Sequence, residues 1–165
     1  KPAYSVTVNG KAVEADLDAN KGYLPVKNIK KGDVIRIHFD MPVRTVVANA
    51  KVTDDKGKVA VERGPLVYCA EAVDNQNEPV LRAVMAKKPA FSVVENYSIQ
   101  NTETKGAPSF SVKAIKADAQ VLEEGANGVS VKNDVLTLIP YYAWNHRGAN
   151  QMNVWFYQNL SVLDK

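Results

Sequence analysis

Apolar and polar residues alternate along most of this chain with a period of two. That is the period of a β-strand, whose successive side chains point to opposite faces. Tyr4, Val6 and Val8 alternate with Ser5 and Thr7, and Asn9-Gly10 separates them from Lys11-Ala12-Val13. Asn-Gly between such runs signals a hairpin, because a type I′ turn needs positive φ at both central residues. In the run 34–39, Ile35, Ile37 and Phe39 share one face, with Arg36 and His38 on the other. Further strands are expected over 23–26, 45–52, 58–62, 80–85, 91–94, 110–114 and 128–131. Polar turns or loops fall at 16–22, 30–33, 54–57, 74–79 and 123–128, and 96–108 is weakly patterned. Leu66-Val67-Tyr68-Cys69-Ala70 is apolar on both faces and predicts a central strand covered on both sides. Arg63-Gly64-Pro65 before it predicts a bulge or kink, since proline restricts the residue that precedes it. No window shows a helical period with caps. Residues 114–123 come nearest, and their apolar residues fit no single helical face. Short strands at this spacing predict an all-β chain, a β-sandwich or jelly roll. Two arrangements stay open: one sandwich, or a partial one followed by a complete one, with an N-terminal β segment 1–64 and a C-terminal sandwich 65–165.

The stretch 135–157 holds both tryptophans. Leu136 and Leu138 share a side, and Pro140 ends that run because it has no N–H for a ladder. Met152, Val154 and Phe156 then share one face, opposite Asn153, Trp155 and Tyr157. Between the runs lie Tyr141, Tyr142, Trp144, Asn145, His146 and Arg147, the most site-like loop in the chain. A flat indole stacks on the apolar face of a sugar, while amide, imidazole and guanidinium groups take its hydroxyls. The structural alternative is that Trp144 caps one end of the sandwich and Arg147 holds loop carbonyls, in keeping with the usual burial of tryptophan.

Composition narrows the function. The chain has 165 residues, 45% hydrophobic and 24% charged, which suits one globular domain or two small β domains. No apolar run approaches the ~20 residues of a membrane span. The net charge is +3, and the groups Lys27, Lys30, Lys31 and Lys87, Lys88 have no aromatic residues interleaved. They read as solvated turn lysines, so neither nucleic acid nor a membrane is expected as a partner. The chain starts at Lys1, almost at once in a strand pattern, and reads as a piece of a longer protein.

Candidate chemistry is sparse. Cys69 is the sole cysteine and lies in the most apolar run, so it reads as a buried core thiol. His38 and His146 are far apart, with no second His or Cys at metal-ligand spacing. Asp16, Asp18, Asp54 and Asp55 offer loop oxygens of the kind Ca²⁺ uses, but turn chemistry accounts for them. Glycoside hydrolysis ordinarily needs two carboxylates facing one sugar. Glu62 and Glu71 flank the 64–65 break and read as ordinary strand-flanking residues. No catalytic residue, metal or cofactor is expected.

Three stretches carry a family resemblance: Val8-Asn9-Gly10; Val59-Ala60-Val61-Glu62-Arg63-Gly64-Pro65-Leu66-Val67-Tyr68-Cys69-Ala70-Glu71; and Leu138-Ile139-Pro140-Tyr141-Tyr142-Ala143-Trp144-Asn145-His146-Arg147-Gly148 with Met152-Asn153-Val154-Trp155. In order and spacing they resemble the C-terminal β-sandwich region of glycoside hydrolase family 127, the β-L-arabinofuranosidases and their relatives. Arg63-Gly64-Pro65-Leu66-Val67-Tyr68 is the most specific piece. The resemblance implies that catalysis belongs to an upstream helical barrel, whose cysteine nucleophile is a zinc ligand beside further cysteines and a glutamate. Nothing here matches that motif, so no catalytic residue carries over. It implies a non-catalytic accessory module of a larger carbohydrate-active enzyme, with the parent's barrel as partner. The competing readings are a carbohydrate-binding module using the Trp144 loop and an independent enzyme. The resemblance also implies earlier strands of the same sandwich upstream of Lys1. Without them, the segment from residue 1 to about 52 is expected to fold back or to pair with a second copy as a dimer.

Overall fold

The computed structural model describes residues 4–14, 22–76, 79–125 and 128–158. No α-helix occurs among them, and the regular structure is strand with a few 3-10 turns. The chain divides into two compact units, Lys1–Pro42 and Val43–Lys165. The division expected at residue 64 instead falls inside a hairpin of the second unit.

Unit 1 is a three-stranded antiparallel sheet of β1 (Tyr4–Val8), β2 (Lys11–Val13) and β3 (Ile35–Phe39), in the order β2-β1-β3. Asn9 and Gly10 join β1 to β2 with φ of 52° and 78°, as a type I′ turn requires. Asn9 also fixes the entry to β3. Its backbone N–H donates to the Val34 carbonyl at 2.9 Å, its amide N–H to Asp33 at 2.9 Å, and its side-chain oxygen accepts from the Val34 N–H at 3.0 Å. The Lys30 backbone N–H and the Asn9 amide hold the Asp33 carboxyl below its ordinary value. The strand expected over 23–26 shrinks to an isolated bridge at Tyr23, and the loop at Asp16 and Asp18 lies outside the described residues.

Unit 2 contains β4 (Val43–Val46), β5 (Lys58–Arg63), β6 (Leu66–Glu71), β7 (Ala83–Met85), β8 (Phe91–Ile99), β9 (Phe110–Gly125), β10 (Gly128–Pro140), β11 (Met152–Asn153) and β12 (Phe156–Tyr157). Six strands pair in a circuit that returns on itself: β6 with β10, β10 with β9, β9 with β7, β7 with β12, β12 with β5 and β5 with β6. The result is a sandwich whose layers join at both edges. Inside it Val61, Tyr68, Ala70, Met85, Ile115, Ala117, Leu136, Leu138 and Phe156 form the larger core cluster. A second cluster of Cys69, Ile99, Val112, Ala114, Ile139 and Ala143 packs with Trp144, Met152 and Val154.

Strand parity shows how the two clusters relate. On β6, Tyr68 and Ala70 enter the first cluster and Cys69 the second. Neighbouring residues on a strand point to opposite faces, so β6 is covered on both sides, as its apolar run predicts. On β9, Val112 and Ala114 enter the second cluster, whereas Ile115, Ala117, Ala119 and Val121 enter the first. The strand changes its buried face between Ala114 and Ile115, and the period of two over 115–121 is why residues 114–123 fit no single helical face.

Other departures from the sequence reading have similar causes. The expected kink at 63–65 is a two-residue hairpin turn: Arg63 pairs with Leu66, and Gly64 takes φ 58°. β8 runs through the weakly patterned stretch to Ile99, because a register shift between Val94 and Tyr97 breaks its alternation. Val80–Arg82 is a 3-10 turn before the short β7. The strand expected over 45–52 is β4, which begins and ends earlier. The run 152–157 is two short strands, so Met152 and Val154 reach the second cluster and Phe156 the first. Neither Trp144 nor Trp155 is fully buried, whereas Phe156 is 0% exposed. Truncating Phe156→Ala should therefore cost about 3–5 kcal/mol, and Trp155→Ala distinctly less. Chemical denaturation of the two variants side by side measures the order.

Candidate functional site

The site-like loop begins where β10 ends. Pro140 pairs with Tyr68 of β6, and Tyr141–Ala143 form one 3-10 turn. That turn drives Ala143 into the second cluster and leaves Tyr141 43% and Tyr142 62% exposed. Trp144 packs on the same cluster, its ring 6.0 Å from that of Tyr141 and tilted by 33°. Asn145 adopts φ 65°, a left-handed conformation asparagine tolerates, and reverses the chain. His146 meets Phe110 edge-on at 5.3 Å, and its carbonyl accepts from the Thr102 N–H at 2.8 Å.

Arg147 then points inward. Its guanidinium donates through Nη2 to Glu71 Oε2 and Asp74 Oδ2, and through Nη1 to Asp74 Oδ1. The side chains of Glu71 and Asp74 are 0% and 1% exposed, and that of Arg147 10%. The second oxygen of Glu71 accepts from the Asn145 backbone N–H at 3.0 Å and the Asn150 amide at 3.2 Å. Asn150 also donates to the Gly148 carbonyl at 3.0 Å, and Tyr97 Oη donates to Asp74 Oδ1 at 2.7 Å. This cluster joins the end of β6, the 3-10 turn Ala72–Asp74, β8 and the loop 145–150.

The electrostatics follow from burial and pairing. Burial pushes the Arg147 guanidinium down, but its hydrogen bonds to Asp74 and Glu71 outweigh this and hold it above its ordinary value. Burial, then the bond to Asp74, raises the Tyr97 phenol to about 12. Burial likewise raises the Cys69 thiol to about 12, helped by the charges of Glu71 and Asp74 and opposed by Arg147. A thiol held protonated near neutral pH is a poor nucleophile.

Of the six expected binding residues, the structure brings the rings of Tyr141 and Trp144 together and turns others elsewhere. Tyr141 and Tyr142 face outward; Arg147 is turned into the protein, Asn145 gives its backbone N–H to the buried Glu71, and His146 packs against Phe110. Glu62 and Glu71 hold different cations, Arg44 at 2.9 Å and Arg147. Asp55 pairs with Lys58 at 3.5 Å. Among the described residues, no group of three or more His, Cys, Asp or Glu side chains is placed to hold a metal. Asp74 and Tyr97 were missed by sequence reasoning, because Asp74 meets Arg147 and Tyr97 across 73 and 23 residues of chain. One signal existed: Glu71 directly follows a run read as covered on both faces, and a carboxylate there needs a cation.

Comparison with known proteins adds the wider context. Residues 43–157 match the family model described as the glycoside hydrolase family 127 C-terminal domain. A non-reducing end β-L-arabinofuranosidase of Bifidobacterium longum subsp. longum is 34% identical over 158 residues, which is 92% of this chain and 23% of that protein. A solved GH127 β-arabinofuranosidase is similar with a TM-score of 0.80 and 45% identity, over 98% of this chain and 24% of its own. A GH127 β-L-arabinofuranosidase from Geobacillus stearothermophilus T6 is similar with a TM-score of 0.71 and 28% identity, over 95% and 25%. The chain thus spans about a quarter of these relatives.

Two outcomes follow from the buried cluster. Arg147→Met strands two buried carboxylates and should cost about 3–5 kcal/mol, whereas the exposed Tyr142→Ala should stay within about 0.5 kcal/mol; urea titration of both checks this. The raised Cys69 pKa also has a defined sign. The unfolded thiol ionises near its ordinary value of 9.0 and the folded one near 12. Its contribution is full below pH 9.0 and is lost as pH rises through about 12. Cys69→Ala should flatten that part of the stability–pH profile.

Proposed function

The chain belongs to glycoside hydrolase family 127, and we propose that it is a non-catalytic accessory module of a larger carbohydrate-active enzyme of the β-L-arabinofuranosidase kind. Its partner is the helical catalytic barrel that the family resemblance implies, against which the β-sandwich packs. One observation carries this reading: the chain's most site-like loop is fastened from inside. Arg147 is spent on the buried Glu71 and Asp74, which supports a structural part for the loop. The thiol is buried and held protonated, which suits Cys69 poorly to attack on a sugar.

A carbohydrate-binding module using the Trp144 loop is the second reading, and the exposure of Tyr141 and Tyr142 favours it. It would act through those two rings, with Trp144 as their support. Calorimetric titration with arabinose oligosaccharides separates the readings. Saturable binding that Tyr142→Ala abolishes, without loss of stability, favours the second.

The purified chain should turn over no aryl β-L-arabinofuranoside and should carry well under one zinc per molecule by elemental analysis. Turnover that persists through rigorous purification, or stoichiometric zinc, overturns the accessory reading.

A further inference from the structure

Asn9 stands directly before Gly10, the setting in which an asparagine side chain is chemically most vulnerable. The backbone nitrogen of the next residue can attack the carboxamide carbon. Glycine has no Cβ to hinder that approach, and its backbone freedom lets the chain bend into it. In this step the Gly10 nitrogen bonds to Asn9 Cγ and gives up its proton. The bond from Cγ to the amide nitrogen breaks, and ammonia leaves. The product is a five-membered succinimide. Water then opens the ring at either carbonyl. One opening leaves aspartate, and the other leaves isoaspartate, with the chain rerouted through Cγ. Water is the sole co-reactant, and nothing is oxidised or reduced.

The fold opposes each part of this step. The ring needs the Gly10 nitrogen on the same side as the Asn9 Cβ. Asn9 instead has φ 52° in a type I′ turn, where ψ is about +30° and turns that nitrogen away from Cβ. The carboxamide is also held at both ends. Its N–H donates to Asp33 Oδ1 at 2.9 Å, and its oxygen accepts from the Val34 N–H at 3.0 Å. Asp33 is itself fixed, since its Oδ2 accepts from the Lys30 N–H at 2.7 Å. The Asn9 backbone N–H donates to the Val34 carbonyl at 2.9 Å. Cyclisation therefore requires Asn9 to leave the turn and its side-chain bonds to break together.

We propose that Asn9 is a latent deamidation site, latched by Asp33 and Val34, and that opening of the turn between β1 and β2 releases it to a one-way conversion. Either product hinders the return. Aspartate there sets a second carboxylate against Asp33, where an amide donor had been. Isoaspartate adds a backbone carbon inside the tight turn, which disturbs the pairing of Val8 with Lys11. The modification is a permanent record that unit 1 has opened, and it loosens the entry to β3.

Peptide mapping by mass spectrometry tests this. The folded protein, and the protein unfolded in guanidinium chloride, are kept in the same mildly alkaline buffer. The peptide containing Asn9 is followed for the mass gain of amide-to-acid conversion. The chain's other Asn-Gly pair, Asn127-Gly128, falls in a separate peptide. Folding should slow conversion at Asn9 by about tenfold or more, since the reaction must pass through a local opening. Asp33→Ala should remove most of that protection in the folded protein and leave the unfolded rate unchanged. Should Asp33→Ala fail to fold, Asp33→Asn, which keeps an oxygen acceptor, should still convert faster than the wild type. Equal rates at Asn9 in the folded and unfolded wild type overturn the proposal. So does either variant if circular dichroism shows it folded and Asn9 converts no faster than in the wild type.

Discussion

The guanidinium of Arg147, held between Glu71 and Asp74, is the interaction on which the arrangement of unit 2 turns. Glu71 ends β6, a strand that both core clusters share. Asp74 sits in the next turn and receives Tyr97 of β8. Glu71 receives the backbone of Asn145 and the amide of Asn150. A buried carboxylate without a partner costs several kcal/mol. The loop 145–150 must therefore close over β6 for the sandwich to bury its second cluster. Such a cluster is weak evidence for net stability compared with an apolar replacement. Its effect lies in geometry: few other placements of the loop satisfy both carboxylates.

This geometry separates the loop into two parts. Ala143, Trp144 and His146 serve packing, with Trp144 on the second cluster and His146 against Phe110. Tyr141 and Tyr142 alone among its rings keep broad access to solvent. A residue type that could bind a sugar is thus not enough. What decides is which groups remain after the fold has satisfied its own buried charges.

The two units differ in the same respect. Unit 2 closes a circuit of strands around an apolar interior and leaves its largest core residues fully buried. Unit 1 buries the middle of one face through Val6 and leaves the β3 part of that face open. Similar local patterning, with apolar residues at every second position, yields a closed apolar interior in one unit and, among the described residues of the other, a β3 whose apolar side chains stay exposed.

The sequence by itself determined what depends on neighbours along the chain. Period-two alternation placed most strands, Asn9-Gly10 set a hairpin by its φ requirement, and a run apolar on both faces marked β6 as central and Cys69 as buried. Tertiary structure decided what depends on partners far away in sequence. The face switch of β9 and the break between β11 and β12 arise because one strand serves two clusters, which erases a single alternation. The role of Arg147 arises because its carboxylates lie 73 and 76 residues away, on elements that only the folded sandwich brings together. Local pattern reports which face a strand would bury; long-range pairing settles which polar groups stay free.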